Sequence, residues 1–487
     1  MKEATLKKSA LVNATARYAT IIIQLLFQAI LARILTPDDY GVMALVGVFV
    51  AFFNILSSMG VSGGIVQHKE LTEQQINGIF TFTILIGVVV AAIFAVMFIP
   101  ISYIYGNPEL KKIGVFLSLS VIFGTINTTP NGMMMRDKKF VAIGLRSITV
   151  AVITNIIAII FAMKGFKHYA LVIQSIMNAI IIFSWNYLSA KQRLKIRIDM
   201  SGVKTIYNFA SFQLYYNMVN YFARNLDNLL IGKFMGNGQL GFYDKAYQLM
   251  LYPVRNLTFV ITPVLHPILS DYQQDKEVIY EKYLKVLKIL SIVGVFVTGF
   301  CFYSGREIIL IMFGDQWVAS IPSFKWLSLS LWFQLTASSA GAIYQSLGKT
   351  KLMFKSGIAH ITVTVILIVV GILSGRIVIV SALVALSLFI KFIIEYTVLG
   401  KYGFEKGALC FFKDLKVDFI SGLVFLGLMS SLLLINIENI LISAIVKFII
   451  CGVVYMIMLM VTGQIDYMML VIPGKFQNKV KKILRRH

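Results

Sequence analysis

The stretch LARILTPDDYG, residues 31–41, ends one apolar run and starts the next. Thr36 and Asp39 have the spacing of a capping box, in which each side chain bonds the other residue's backbone N–H at a helix start. Pro37 suits the first helical position, where a missing N–H costs nothing. Arg33 falls in the last turn of the preceding run, where a cation complements the helix dipole. The stretch therefore predicts a tight corner between two helices.

The composition is that of a membrane protein. Of 487 residues, 58% are hydrophobic and only 14% are charged, which is too little charge to cover a soluble globule. The formal net charge of +23 would suggest nucleic acid in a soluble protein. Here the basic residues fall mostly between apolar runs, so we expect no nucleic-acid partner. Cys301, Cys410 and Cys451 lie far apart without histidines at ligand spacing, which predicts packing roles and no metal site.

Long apolar runs predict about 14 transmembrane helices, since a helix needs about 20 residues to cross the hydrocarbon core. The runs start near residues 9, 41, 76, 111, 141, 167, 205, 240, 283, 321, 351, 375, 416 and 440. With the amino terminus in the cytoplasm, most Lys and Arg fall in cytoplasmic segments, as the positive-inside rule requires. We therefore predict an all-α integral membrane protein with both termini cytoplasmic.

A second stretch, IGKFMGNGQLG at 231–241, has the layout of the first about 200 residues later. Lys233 aligns with Arg33 and Gly241 with Gly41. Two six-helix halves that enter the membrane in the same direction form a parallel pseudo-repeat about the membrane normal, as in transporters whose site lies between the halves. We predict three parts: an N-terminal lobe with helices 1–6 at 1–200, a C-terminal lobe with helices 7–12 at 201–400, and two extra helices with a basic cytoplasmic tail at 401–487.

Charges inside the apolar runs are candidates for a binding site. A charge at mid-bilayer costs at least about 2.5–3.5 kcal/mol unless it meets water or a partner. The excess of such charges is cationic, and the candidate site residues are Arg17, Arg146, Arg224, Arg255, Asp227 and Gln24. Arg17 and Arg255 have no acid within one turn, and Arg146 is near the predicted cytoplasmic mouth.

Two possible charge pairs leave alternatives open. Asp227 is one turn beyond Arg224, so the two residues could form a structural pair or part of the site, with Gln24 at the position that matches Arg224 in the first half. Glu395 is one turn beyond Lys391, where intrahelical pairing is the favoured interpretation. Lys447, in the extra helices, is expected to extend to the membrane interface.

The stretch GVSGG at 60–64 fits both the hydrolase motif G-x-S-x-G and the helix-packing motif G-x-x-x-G. A hydrolase needs a strand before its serine, and Ser62 follows an apolar helix instead. The stretch therefore favours close helix packing, with a hinge for a cytoplasmic gate as the alternative.

A resemblance to a known family is carried by the motifs LARILTPDDYGVMAL, GGIVQHKELTEQQ, MMMRDKKFVAI, NLDNLLIGKFMGNGQLGFYDKAYQL and FGDQW. They resemble the successive signatures of the bacterial polysaccharide exporters, the O-antigen and exopolysaccharide flippases of the multidrug/oligosaccharidyl-lipid/polysaccharide superfamily. The colanic-acid and teichuronic-acid exporters are the most similar branch. The resemblance implies two lobes around a central cavity and outward movement of undecaprenyl-pyrophosphate-linked sugars across the bacterial cytoplasmic (inner) membrane.

A cationic cavity suits that substrate, because guanidinium groups make bidentate bonds to phosphate oxygens. We expect a transporter that works by alternating access, without a cofactor, with possible coupling to an ion gradient or the membrane potential. Its expected partners are membrane lipids and the polymerase and glycosyltransferases of the same pathway. Two alternatives are a cation-coupled multidrug exporter, which would want carboxylates in its central spans, and a membrane-embedded sugar polymerase or ligase, which would want a long outer loop.

Overall fold

The computed structural model describes residues 21–58, 60–190, 194–204, 221, 225–435 and 437–469. Helices dominate this part of the chain, and it contains no β-strand. Within it, 10 helices are long and apolar enough to cross a membrane. The predicted all-α membrane fold is thereby confirmed.

The helices of the first part of the chain are α1 Ile21–Ile34, α2 Pro37–Ser58, α3 Val61–Gln67, α4 Glu73–Ile104, α5 Glu109–Ile126, α6 Thr128–Arg136, α7 Phe140–Met163 and α8 Tyr169–Ser189. Those of the second part are α9 225–234, α10 Asn237–Ser270, α11 Lys276–Tyr303, α12 Gly305–Phe313, α13 Ser320–Ser328, α14 Leu331–Ala337, α15 Ala340–Ser346, α16 Thr350–Leu373, α17 Ile377–Val398, α18 Cys410–Asp414, α19 Lys416–Met429, α20 Ile440–Val461 and α21 Ile465–Met469.

The helix starts agree with the sequence prediction wherever the two can be compared. Each predicted start from 41 to 440, except the one near 205, lies within about two turns of the beginning of an observed helix. The predicted starts near 9 and 205 lie outside the described residues. The hydrophobic runs therefore locate most of the helices, but the run from 321 forms three short helices, α13 to α15, instead of one long span.

The corner between α1 and α2 has the predicted capping box. The Thr36 backbone N–H donates to Asp39 Oδ2 at 3.0 Å, and the Asp39 N–H donates to Thr36 Oγ1 at 3.3 Å. The other carboxylate oxygen of Asp39 accepts the backbone N–H of His168 at 2.9 Å. One buried carboxylate thus starts α2 and also fixes the loop that precedes α8.

The two similar sequence stretches meet at the first turns of α2 and α10. A Cβ atom on Gly41 would lie 1.8 Å from the Asn237 carbonyl oxygen, and one on Gly241 would lie 1.9 Å from the Pro37 carbonyl oxygen. With the predicted offset, 41 matches 241 and 37 matches 237, so the two contacts are reciprocal.

The aligned cations of the two stretches also behave alike. Arg33 Nη1 donates to the Ala29 carbonyl in its own last turn at 3.1 Å and to the Met312 carbonyl near the end of α12 at 3.4 Å. Lys233 donates to the Ile104 carbonyl, at the end of α4. Each cation therefore satisfies a carbonyl at a helix carboxyl end, as predicted for Arg33.

The chain packs as two compact units. Unit 1 comprises Met1–Gly241 with Met312–Gln316, and unit 2 comprises Phe242–Ile311 with Trp317–His487. In unit 2, Trp332 and Phe425 belong to an apolar cluster that joins α11 to the extra helices α19 and α20. The predicted boundaries at 200 and 400 stay predictions.

The GVSGG stretch packs α3 against α6. The chain enters α3 through Gly60, whose φ of 68° is in the left-handed region that favours glycine. Ser62 Oγ donates to the Thr128 carbonyl at 2.6 Å, and a Cβ on Gly132 would lie 3.0 Å from Ser62 Cα. Ser62 is therefore part of a close helix contact, in agreement with the packing interpretation.

An extended segment, 194–199, lies along the start of α4. The backbone N–H of Lys195 donates to Asn77 Oδ1 at 3.0 Å, and that of Arg197 donates to Thr81 Oγ1 at 2.7 Å. The side chains from 195 to 198 are exposed. Leu194 packs in a buried apolar cluster, whereas residues 195–198 are attached through their backbone and their side chains face outward.

The loop that follows α17 is fixed by ion pairs. Glu405 has a φ of 60°, which is uncommon for a residue other than glycine. Its carboxylate lies 2.8 Å from Lys276 and 3.2 Å from Lys349. The hydrogen bonds from these two lysines lower the pKa of Glu405 below its ordinary value. The loop is thus tied to the starts of α11 and α16.

Candidate anion-binding site

Arg146, on α7, lies within unit 1 and is 8% exposed. Its Nη1 donates to Asn186 Oδ1 on α8 at 2.5 Å and, more weakly, to Asn131 Oδ1 on α6 at 3.4 Å. Asn186 in turn donates from Nδ2 to Asn127 Oδ1 at 2.8 Å. We call Arg146 with Asn127, Asn131 and Asn186 the amide network.

A break between two helices creates this arrangement. Asn127 separates α5 from α6, and α6 contains Pro130. Proline has no N–H to offer the carbonyl four residues earlier, so the helix cannot continue unchanged through this point. The break directs the amides of Asn127 and Asn131 toward α7 and α8, where Arg146 and Asn186 meet them.

The charge of Arg146 is not balanced by a carboxylate. Its hydrogen-bond partners in the described part of the chain are amide oxygens, which are neutral. Its Nε is buried without a hydrogen bond. A guanidinium carries five N–H donors, so donors are left over for a further acceptor. An anion with several oxygens, such as a phosphate, would satisfy both the charge and these donors.

The other predicted site residues have different environments. Gln24 on α1 and Arg255 on α10 are exposed. Asp227 on α9 is 5% exposed, and its Oδ1 accepts the backbone N–H of Asn228 at 2.9 Å. Arg17 and Arg224 lie outside the described residues. Of the predicted residues that the structure describes, none shares a hydrogen bond with Arg146, and their membership of one site stays a prediction.

The three asparagines were missed by the sequence analysis, which considered mainly charged residues. A signal existed, because Asn127, Asn131 and Asn186 interrupt runs that otherwise read as spans. Amide side chains within a membrane normally hydrogen-bond to another helix. Searching the apolar runs for amides near Arg146 would have indicated the network.

The expectation that Lys447 extends to the interface is wrong. Lys447, on α20, donates to Glu307 Oε1 on α12 at 2.6 Å, and both side chains are buried. Ser443 Oγ donates to the same carboxylate oxygen at 2.8 Å. Because Glu307 on α12 neutralises the charge of Lys447 inside the protein, the ammonium group need not reach water.

The predicted pair of Lys391 and Glu395 does not form a contact ion pair in this structure, although Lys391 is the cation that acts on the Glu395 carboxyl group. No ion pair within 4 Å joins the two residues, as far as the described chain shows. Glu395 Oε2 is buried without a hydrogen bond. The Tyr344 hydroxyl donates to the Glu395 backbone carbonyl at 3.2 Å and not to its carboxylate. One-turn spacing permits an ion pair but does not enforce one.

Comparison with known proteins shows similarity to polysaccharide biosynthesis proteins. A family model with the description "Polysaccharide biosynthesis protein" matches residues 30–322. Teichuronic acid biosynthesis protein TuaB of Bacillus subtilis (strain 168) is 23% identical over 339 residues, which cover 68% of this chain and 69% of that protein. Lipopolysaccharide biosynthesis protein WzxC of Escherichia coli (strain K12) is 22% identical over 364 residues, covering 72% and 73%.

Solved structures share the fold. Lipid II flippase MurJ, in an inward closed conformation, matches with a TM-score of 0.73 and 14% identity over 95% of this chain and 100% of that chain. An inward-facing multidrug resistance transporter of the MATE family matches with a TM-score of 0.59 and 13% identity, over 77% and 93%. At these identities the similarity shows the fold alone, which is an all-α membrane architecture.

Proposed function

The chain belongs to the family of polysaccharide biosynthesis proteins, and from this premise we propose that it is a flippase for a lipid-linked oligosaccharide. It moves an undecaprenyl-pyrophosphate-linked repeat unit from the cytoplasmic to the outer leaflet of the bacterial cytoplasmic membrane, for surface polysaccharide assembly. The observation that carries the proposal is the buried guanidinium of Arg146, which has amide partners and unused donors.

The amide network orients the guanidinium. Asn186 and Asn131 both bond Nη1, so the group is fixed on one side. The remaining N–H groups form part of a fork that matches the oxygens of a pyrophosphate. Because the amides are neutral, the positive charge is not cancelled and the site selects an anion. A cationic drug, the substrate class of the alternative transporter, would be repelled.

Translocation follows by alternating access. The pyrophosphate enters with its sugars through the protein, while the prenyl chain stays in lipid. Arg17, Arg224, Arg255, Asp227 and Gln24 are the proposed further contacts along this path. Outward movement of two negative charges across the full field is favoured by about 4–5 kcal/mol per 100 mV of inside-negative potential. The membrane potential therefore supplies a driving force without a cofactor.

The proposal is tested by deleting the gene from its host and fractionating the lipids. We expect lipid-linked oligosaccharide to accumulate and to stay protected from a sugar-specific probe added outside spheroplasts. Re-expression of the wild-type chain should restore surface polymer and expose the lipid-linked sugar. Normal polymer without accumulation in the deletion strain would reject the flippase function.

The proposed orientation, with both termini cytoplasmic, is tested by cysteine labelling in a background without the native cysteines. Asp38→Cys, at the exposed first turn of α2, should react with a membrane-impermeant maleimide added to intact cells. Glu405→Cys, in the loop after α17, should react only after permeabilisation. The reverse pattern would invert the topology.

A further inference from the structure

Asp418 is a buried carboxyl group that the proposed transport path does not use. It lies in the first turn of α19, in unit 2, and is 2% exposed. Both carboxylate oxygens are shielded from solvent, and neither has a hydrogen bond of normal geometry. A charged carboxylate in this position would be removed from water, which is costly inside a protein.

Polar groups that can serve a neutral carboxyl surround Asp418. Ser291 and Gln464 face the carboxyl group. Ser291 Oγ already accepts a hydrogen bond from Trp332 Nε1 at 2.8 Å, so its own hydroxyl proton is available. Gln464 Oε1 is within 3.4 Å of Ser421 Oγ, which fixes the amide. The surroundings of the carboxyl group thus include a hydroxyl donor and an amide.

The charged and titratable groups around Asp418 come from four helices. On α11, Lys288 is the cation that faces it, but the Lys288 ammonium bonds the Tyr467 hydroxyl of α21 at 3.2 Å. On α20, the Tyr455 hydroxyl donates to the Ile292 carbonyl at 2.6 Å. On α18, Asp414 accepts a hydrogen bond from Tyr280. In the described chain, Asp418 therefore has one cation nearby and no ion pair within 4 Å.

We propose that Asp418 is a proton-binding site, which holds a proton in the conformation described here and releases it when Lys288 exchanges Tyr467 for the carboxylate. Binding joins one proton from water to one carboxylate oxygen, and release returns it to water. Lys288 favours a proton over a sodium ion as the ligand, because a metal cation would keep its charge beside the ammonium while a proton neutralises the acid. The site does not depend on what the protein transports.

Infrared difference spectroscopy on the full-length protein in lipid vesicles tests the proposal. Raising the pH should remove the carbonyl band of a protonated carboxyl group, and Asp418→Asn should lack this titrating band. Lys288→Met should shift its midpoint upward by about one pH unit, because the ionised form loses its favourable neighbour. Asp466→Asn, which changes an exposed acid on the neighbouring α21, is the matched control and should leave the band unchanged.

Three results would overturn the proposal. One is the absence of a titrating band in the wild-type protein, and another is its persistence in Asp418→Asn. The third is a band that responds to exchange of sodium for potassium at constant pH, which would indicate a sodium site. Should Asp418→Asn fail to fold, an unchanged midpoint in Lys288→Met would itself reject the site, since that variant keeps the carboxyl group.

Discussion

Gly241 lies so close to Pro37 that a Cβ atom on the glycine would sit 1.9 Å from the proline carbonyl oxygen. The matching contact of Gly41 with Asn237 is equally close. Real Cβ atoms essentially never approach a heavy atom within 3.0 Å, so the first turns of α2 and α10 can meet only as they do with glycine at both positions.

Replacing Gly41 or Gly241 with alanine should therefore force the two backbones apart. We expect each variant to lose at least about 1–3 kcal/mol of stability, the usual cost of overpacking. Thermal unfolding followed by size-exclusion fluorescence in detergent measures the loss. Gly47→Ala, in the same helix α2 with open space around it, should behave like the wild type. Equal unfolding temperatures for all the variants would contradict the close contact.

Separating Lys447 from Glu307 should destabilise unit 2. Lys447→Met leaves a buried carboxylate without its cation, which typically costs about 3–5 kcal/mol. The double variant Lys447→Met, Glu307→Gln removes both charges and should recover most of this loss in thermal unfolding. Lys406→Met, which breaks the exposed pair with Glu277, should change stability by less than about 1 kcal/mol. If the double variant does not recover thermal stability, the loss in Lys447→Met is not caused by breaking this ion pair.

Arg146→Lys keeps the charge but removes the planar fork. We expect export to fall about 10-fold or more while protein abundance stays near normal, since lysine cannot make the bidentate contact. Quantifying surface polymer against protein level measures the effect. Arg136→Lys is the matched control, because Arg136 is on the neighbouring α6 and donates to the Lys69 carbonyl outside the network. Full export by Arg146→Lys would argue against phosphate binding there.

Arg17→Ala and Arg255→Ala should each abolish polymer export without lowering abundance. Neither residue has an acid within one turn, so an anionic substrate gives its charge a partner. Arg376→Ala, at the start of α17, removes an exposed cation and should leave export intact. If both site variants export normally, these residues do not belong to the transport path.

Arg224 and Asp227 allow two opposite outcomes. If they form a structural pair, removing both charges should restore what either single substitution breaks. We expect the other result: Arg224→Ala inactive, Asp227→Asn weakened and the double variant still inactive, because the arginine binds pyrophosphate. Export assays on the three variants at matched abundance decide between them. If the double variant recovers export, the two charges form a structural pair that stabilises their helix.

The sequence predicted those features that depend on neighbouring residues. Thr36 and Asp39 form the expected capping box because its partners are three residues apart. The helix positions followed from the lengths of the apolar runs, and the resemblance to polysaccharide exporters is confirmed by the family match over 30–322.

Contacts between segments far apart in the sequence could not be predicted from the sequence pattern. Arg146 meets Asn186 across 40 residues, and Lys447 meets Glu307 across 140. Helix periodicity carries no information about which helices contact each other. The partner of Lys447 was therefore missed, and its side chain was predicted to extend to the membrane interface. For Lys391 and Glu395, the one-turn spacing places a cation near the acid, but it does not bring the two side chains into contact, and Glu395 Oε2 stays without a hydrogen bond. The arginines at 17 and 224 stay predictions.

The attachment of segment 194–199 to α4 restricts its evolution in an unusual way. Lys195 and Arg197 are fixed by their backbone N–H groups, and any amino acid except proline supplies that group. Side-chain identity at the exposed positions 195–198 is therefore free to vary among homologues as long as the positive charge suits the membrane surface, whereas Leu194 is held by its apolar contacts. A particular side chain is required only at the two acceptors. Substitutions should therefore be rare at Asn77 and Thr81 and frequent at the exposed positions of the basic segment.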